Sequence, residues 1–299
     1  IRRPPRSTLV PYTTLFRSTA LLEEKEIKPD IVFSSDVPVL WIHRRTIDSD
    51  IYFLTNQSDE QIEFDATFRI AGKIPEIWDA TNGKIRDLPA FKTSGSTTSV
   101  PVKIVASGSA FIVFSKTGSP VSEKIELNFP EPELIFNIDT PWEVSFNEAN
   151  GGPPDPVKMI VPCDWSENMD ERIRYYSGTA VYRNSFRVDK ILKDETFFLN
   201  LENVGVMAEV MINGQMAGGL WTPPWEVDIT ELIGEGENEL EIHVVNNWVN
   251  RLIGDSRLPR KERITWINVN EIRPDDPLQP SGLLGKVSLT KTVFGKETK

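Results

Sequence analysis

Apolar residues recur in this chain at every second position, which commits it to strands rather than helices. Ile62-Glu63-Phe64-Asp65-Ala66-Thr67-Phe68-Arg69-Ile70 alternates without a break, with Ile, Phe and Ala on one side and Glu, Asp, Thr and Arg on the other. Successive side chains of a strand point to opposite faces, so such a segment lays one face on a core and the other in water. Ala180-Val181-Tyr182-Arg183-Asn184-Ser185-Phe186-Arg187-Val188 and Val206-Met207-Ala208-Glu209-Val210-Met211-Ile212 repeat the pattern, and Leu240, Ile242 and Val244 line one side of a further strand. Ile51-Tyr52-Phe53-Leu54 and Phe111-Ile112-Val113-Phe114 are apolar runs of strand length. Two Asn-Gly pairs, Asn82-Gly83 and Asn213-Gly214, predict type I′ hairpins, whose two central residues both need positive φ. Helix is scarce, with one short turn expected around Met169 to Arg174. Strands do not alternate with 10–15-residue helices, as a (β/α)8 barrel would require over about 250 residues. The fold class is all-β.

Residues 27–117 read as a small β-sandwich domain and 133–291 as a second β domain. Between them, 118–132 carries Gly118, Pro120, Pro130 and Pro132 among charged residues and reads as a linker; 292–299 is a C-terminal tail. The segment 1–26 stands apart as non-native or disordered. Its first 18 residues are basic but have no apolar core of roughly 7–15 residues, so they do not form a signal peptide. They resemble a translated sequencing adapter of the kind found at the ends of metagenome-derived reading frames. The expectation is that the native protein continues upstream and that this chain is a fragment.

Charge narrows the partners. The formal net charge is −11, and residues 1–18 contribute Arg2, Arg3, Arg6 and Arg17 without one acid; setting them aside reduces 33 basic residues to 29, against 44 acidic ones. So acidic a body repels phosphate backbones and anionic bilayers, so neither nucleic acid nor membrane is expected as a partner. No run of about 18 apolar residues is present. Cys163 is the only cysteine and cannot form an internal disulfide.

Several phrases of the second half carry a family resemblance. They are Thr140-Pro141-Trp142-Glu143-Val144-Ser145-Phe146 with Gly151-Gly152-Pro153, then Tyr175-Tyr176-Ser177-Gly178-Thr179-Ala180-Val181-Tyr182, then Val210-Met211-Ile212-Asn213-Gly214 with Trp221, Trp225 and Asp228-Ile229-Thr230. Asn246-Asn247-Trp248-Val249-Asn250-Arg251-Leu252-Ile253-Gly254-Asp255 and Pro280-Ser281-Gly282-Leu283-Leu284-Gly285 complete them. Together they resemble the C-terminal galactose-binding-like jelly roll of glycoside hydrolase family 106, the α-L-rhamnosidases. Trp41-Ile42-His43-Arg44-Arg45, leading to Asp50-Ile51-Tyr52-Phe53-Leu54-Thr55-Asn56, is similar to the sandwich that follows the catalytic barrel in such enzymes. The resemblance implies two β-sandwich domains, the second a galactose-binding-like jelly roll. It also implies a missing N-terminal catalytic barrel of the same polypeptide as the partner, and a secreted or periplasmic location for the intact protein. The family's catalytic carboxylates belong to that barrel, so none is carried onto this chain.

Glycoside hydrolysis needs two carboxyl groups roughly 5–9 Å apart, and sequence spacing selects no such pair, so no catalytic residue is assigned. Sugar binding suits the residue types better: indoles stack on the C–H faces of pyranoses while Asn, Asp and Arg meet their hydroxyls. The candidates are Trp221 and Trp225, in a loop stiffened by Pro223 and Pro224, and Trp248, Asn250, Arg251 and Asp255, in a polar loop after a strand. Against binding stand two plainer roles, indoles plugging the sandwich and an internal Arg251–Asp255 ion pair. His43, Arg44 and Arg45 are candidates for an interface with the barrel. Trp165 and His243 read as packing residues, and Cys163 as a buried inert thiol. No cofactor is expected. Calcium, frequent in such jelly rolls, stays open: Asp275, Asp276 and the Gly151 loop offer oxygens but no ligand spacing, so metal ligands are left unassigned. Three roles compete: accessory region of a rhamnosidase-like hydrolase, self-sufficient carbohydrate-binding module or lectin for an oligo- or polysaccharide, and purely structural sandwich pair.

Overall fold

The computed structural model describes residues 21–22, 24–25, 27–118, 127–268 and 271–293, in two compact units that divide between Phe129 and Pro130. The stretch 1–18 read as non-native lies outside the described residues. Both units are β-sandwiches of antiparallel sheets, as the period of two requires.

The first unit contains β1 (Ile31–Phe33), β2 (Val39–Arg45), β3 (Asp50–Asn56), β4 (Ile62–Phe68), β5 (Lys73–Trp78), β6 (Ile85–Asp87), β7 (Lys92–Ser94), β8 (Thr97–Ile104) and β9 (Ser109–Thr117). Its sheets run β1-β4-β8-β7 and β2-β3-β9-β5-β6. The alternation of β4 does what it promised: Phe64, Ala66 and Phe68 are buried with Tyr52, Leu54, Val100, Val102, Ile112 and Phe114, while Glu63 and Asp65 face water. Within the stretch read as linker, Asn128 is buried; it clasps the backbone of Ala90 (Nδ2 to O 2.9 Å, Oδ1 from N 2.8 Å) and of Pro101 (3.0 Å).

The second unit contains β10 (Glu133–Asn137), β11 (Trp142–Ser145), β12 (Val157–Met159), α1 (Glu171–Arg174), β13 (Thr179–Val188), β14 (Glu195–Val204), β15 (Met207–Ile212), β16 (Gln215–Leu220), β17 (Glu226–Asp228), β18 (Gly236–Val245), α2 (Val249–Ser256) and β19 (Leu283–Val293). The sheets are β10-β19-β14-β17 and β12-β11-β13-β18-β15-β16. β13 and β18 pair from Thr179↔Val245 to Val188↔Gly236, which presents Ala180, Tyr182, Leu240, Ile242 and Val244 to one core. At one end an aromatic knot fixes the loops: Trp165 lies between Phe146, Tyr176 and Tyr182, its Nε1 donating to the Tyr182 hydroxyl at 2.7 Å. Gly282, at φ +96°, passes so close that an added Cβ would sit 2.5 Å from that nitrogen.

The two Asn-Gly pairs part ways. Asn213 and Gly214 have φ of +50° and +74° between Ile212 and its partner Gln215, the two-residue hairpin expected. Asn82-Gly83 sits instead in a longer loop, because β5 ends at Trp78 and β6 resumes opposite it at Ile85. There Asp79 takes over the turn, its carboxylate accepting from Thr81 N at 2.8 Å and Asn82 Nδ2 at 2.8 Å, so only Gly83 needs positive φ. Cys163 corrects another expectation: it is exposed rather than buried, although partial burial and the neighbouring Asp164 and Glu167 push its thiol pKa up.

Beside the first core lies a charge cluster. Asp50, 6% exposed, accepts from Arg45 Nε (2.6 Å), His43 Nε2 (3.1 Å) and Lys73 Nζ (3.3 Å). Burial alone would raise its pKa, but these donors outweigh it and hold the carboxyl below its ordinary value. A depressed carboxylate stabilises the fold at every pH above its unfolded value, near 4, and that contribution is lost as pH falls through the folded value. Urea midpoints of the first unit should therefore change little between about pH 7 and 5 and fall at more acid pH. Asp50→Asn should cost about 1–3 kcal/mol at neutral pH and flatten the acid slope; equal slopes in the two proteins would contradict this assignment.

Candidate carbohydrate-binding end of the second sandwich

The segment read as a polar loop after β18 is the helix α2. Val249, Leu252 and Ile253 do fall at the helical spacing i, i+3, i+4, but over only eight residues, and the buried positions beside Ile253 are the polar or small Asn250, Arg251, Gly254 and Asp255. Each is held by the protein itself. Asn250 forms a two-way pair with the backbone of Gln279, donating to its O at 2.7 Å and accepting from its N at 2.8 Å. Arg251 Nη2 lies 2.8 Å from Asp255 Oδ1, an ion pair without hydrogen-bond alignment, so Arg251 Nε and Asp255 Oδ1 remain without a hydrogen-bond partner. The other oxygen, Asp255 Oδ2, accepts from Ile264 N (3.0 Å), Thr265 N (2.7 Å) and Thr265 Oγ1 (2.6 Å). Gly254 packs on the Tyr175 ring, where an added Cβ would approach to 2.7 Å. Asn246 completes the frame by bonding Gly178 N (2.9 Å) and Tyr176 O (2.8 Å). The helix is thus a polar bracket joining the loops around Tyr176, Thr265 and Gln279.

The tryptophans divide differently. Trp248, at the N-cap of α2, is 45% exposed, and Trp221 is 63% exposed. Trp225 is half-buried against the core. Trp266 is 80% exposed and was missed in the sequence, although Asp255 anchors the segment that carries it. Its only signal is an indole in a charged, strandless stretch. The structure therefore keeps Asn250, Arg251 and Asp255 inside and leaves Trp221, Trp248 and Trp266 as exposed indoles.

His43, Arg44 and Arg45 also separate. His43 lies between Asp30 (3.4 Å) and Asp50 (3.1 Å) and stacks on Tyr52 at 4.2 Å, and Arg45 is held by Asp50. Arg44 alone is exposed and unpaired among the described residues. His243 is half-buried and bonds Glu241, which also takes Arg183 Nε at 2.7 Å. The hydrogen bond from His243, aided by Arg183, holds the Glu241 carboxyl below the usual range. Arg183 and Glu241 border an open cleft of about 530 Å³ on the outer face of the six-stranded sheet, with Glu143, Asn184, Ser185 and Met211. Its walls offer hydrogen-bonding groups but no aromatic platform.

Calcium does not fit the Gly151 loop. The Arg251 guanidinium already occupies it, with Nη1 3.0 Å from where a Cβ of Gly151 would be, and that cation repels another. Asp276 is committed to a turn, accepting from Arg273 N at 2.8 Å, and among the described residues no three His, Cys, Asp or Glu side chains converge.

The bracket can be tested directly. Asp255→Ala strands a buried guanidinium and frees the donors of Ile264 and Thr265, and should destabilise the second unit by about 3–5 kcal/mol. Arg251→Met also leaves a buried charge, the Asp255 carboxylate, but one whose Oδ2 still accepts three hydrogen bonds, so its cost should be the smaller of the two, about 1–3 kcal/mol. Urea unfolding followed by near-UV circular dichroism ranks the two, and the opposite order would refute the bracket.

Comparison with known proteins agrees with this architecture. Residues 12–93 match the family model of glycoside hydrolase family 106, described as alpha-L-rhamnosidase, and residues 160–273 match that of the galactose-binding-like domain of family 2 glycosyl hydrolases. A rhamnosidase structure from Novosphingobium sp. PP1Y superposes with a TM-score of 0.85 at 32% identity, over 92% of this chain and 26% of that one. A protein of Formosa agariphila described as "Putative beta-glucuronidase" is 29% identical over 259 residues, covering 67% of this chain and 22% of that protein; a second of the same description is 27% identical over 128 residues. The chain thus spans about a quarter or less of the length of these relatives. In sequence and in fold it resembles part of the α-L-rhamnosidases of glycoside hydrolase family 106, with a galactose-binding-like jelly roll in its second half.

Proposed function

We propose that this chain is a non-catalytic accessory region of a rhamnosidase-like glycoside hydrolase, placed C-terminal to a catalytic barrel that it buttresses. The intact protein would be secreted or periplasmic and would cleave rhamnosyl bonds in plant or microbial glycans. The observation that carries this reading is the match to a solved rhamnosidase over 92% of this chain but only 26% of that one. A further feature supports it: among the described residues, the helices are too few and too short to clad a barrel; none is long and apolar enough to cross a membrane. The purified chain should release no nitrophenol from a nitrophenyl rhamnoside above a buffer blank. Turnover that survives repurification would end this reading.

A second reading, glycan binding by the chain itself, is favoured by the exposure of Trp221 and Trp248 at one-half or more of their surface in the first case and nearly so in the second. It would make the chain a carbohydrate-binding module. Calorimetric titration with rhamnose- and galactose-containing oligosaccharides should then give an isotherm that Trp221→Ala or Trp248→Ala abolishes. Trp225→Ala would mainly lower stability, because Trp225 packs on the core. A flat titration across a broad glycan panel would leave only the buttressing role.

A further inference from the structure

The solvent side of the five-stranded sheet in the first unit is apolar along a complete row. The register sets Ile42 opposite Phe53, Phe53 opposite Phe111, Phe111 opposite Trp78, and Trp78 opposite Ile85, one residue from each strand. Their sequence neighbours Tyr52, Ile112 and Ile77 belong to the core cluster, so the period of two turns this row to the other face. At about 4.8 Å per strand the row is roughly 19 Å long. Leu40 extends it along β2 and Ile51 along β3. Leu40 is 64% exposed, Ile42 45%, Trp78 36% and Ile85 55%, and the half-buried Phe53 and Phe111 rings pack at 4.6 Å. The outer face of an antiparallel sandwich is ordinarily polar. A contiguous apolar patch of a few hundred Å² marks an interaction site.

The adjoining row runs Arg44, Ile51, Val113, Glu76, Asp87. Its two acids share one cation, Lys116, whose Nζ lies 2.8 Å from both the buried Glu76 and the exposed Asp87, and Val113 of the same row is buried. At the other end of the row Arg44 is exposed and has no partner among the described residues. The face therefore offers an apolar strip with an unmatched positive charge at the β2 edge.

We infer that this face seats the remainder of the longer hydrolase polypeptide, through an apolar surface that carries a carboxylate over Arg44. The inference rests on the accessory-region reading proposed above. The solved rhamnosidase leaves nearly three quarters of its length outside the match, which supplies an occupant in the same chain. An occupant in the same chain has a high effective concentration, so a modest interface suffices. A second copy is the competing occupant, because Asp87 shares its lysine with Glu76 and stays open to the Arg44 of another molecule; sedimentation of the short chain tells the two apart.

The test compares the 299-residue chain with the intact parent polypeptide by hydroxyl-radical footprinting of Trp78 and hydrogen exchange of β5 and β6. Trp78 should be oxidised readily in the short chain and several-fold more slowly in the parent. Ile85→Lys and Arg44→Glu should leave the melting temperature of the short chain unchanged and lower that of the parent. Equal oxidation of Trp78 in the two proteins overturns the inference alone. So does protection already present in the short chain, whether from its second unit or from a dimer seen by sedimentation. A parent gene with no further coding region overturns both the inference and the accessory reading.

Discussion

A sheet with an apolar inner face is stable only when something covers it, and that constraint organises this molecule. Every described sheet has a partner in its own unit, so each sandwich closes over its own core. The alternation in β4, β13, β15 and β18 is the residue-level expression of that need. The five-stranded sheet of the first unit is the exception to one-sided burial, because its outer face carries a second apolar row. The same rule that explains the two cores thus marks an apolar row that lies outside both of them.

Polar interactions do the remaining fitting at the loop end of the second sandwich. The Trp165 indole, the Gly282 backbone and the Asn250 amide hold the loops that a jelly roll must bring together, and Asp255 ties the 264–265 segment to α2. Burying an ion pair such as Arg251–Asp255 contributes little stability by itself, since desolvation offsets the Coulomb gain. What it supplies is a defined geometry, because either partner left alone would be a buried charge.

The sequence made the strands legible because their burial follows a period, and it made the Asn213-Gly214 turn legible because two positive φ values admit few residue pairs. Asn82-Gly83 misled because the same dipeptide also serves in a loop organised by Asp79, and nothing within the pair separates the two cases. The helix α2 is hard to see because it is eight residues long: Val249, Leu252 and Ile253 give a single apolar turn, and the rest of its buried side is Asn, Arg, Gly and Asp. The indole of Trp266 was invisible as a surface feature because exposure follows from the Asp255 anchor, a contact across a loop. Among the candidate binding residues, the indoles Trp221 and Trp248 are exposed while their polar neighbours serve the bracket, a division that depends on which face of a helix is docked.

In the function proposed for it, this chain is a covalent part of a longer hydrolase. The measurement that bears on it most directly is the nucleotide sequence upstream of the codon for Thr19 in the source genome. The account predicts an uninterrupted reading frame of several hundred codons whose product alternates strands with helices and supplies paired carboxylates. A stop codon followed closely by a start codon in that position would contradict it.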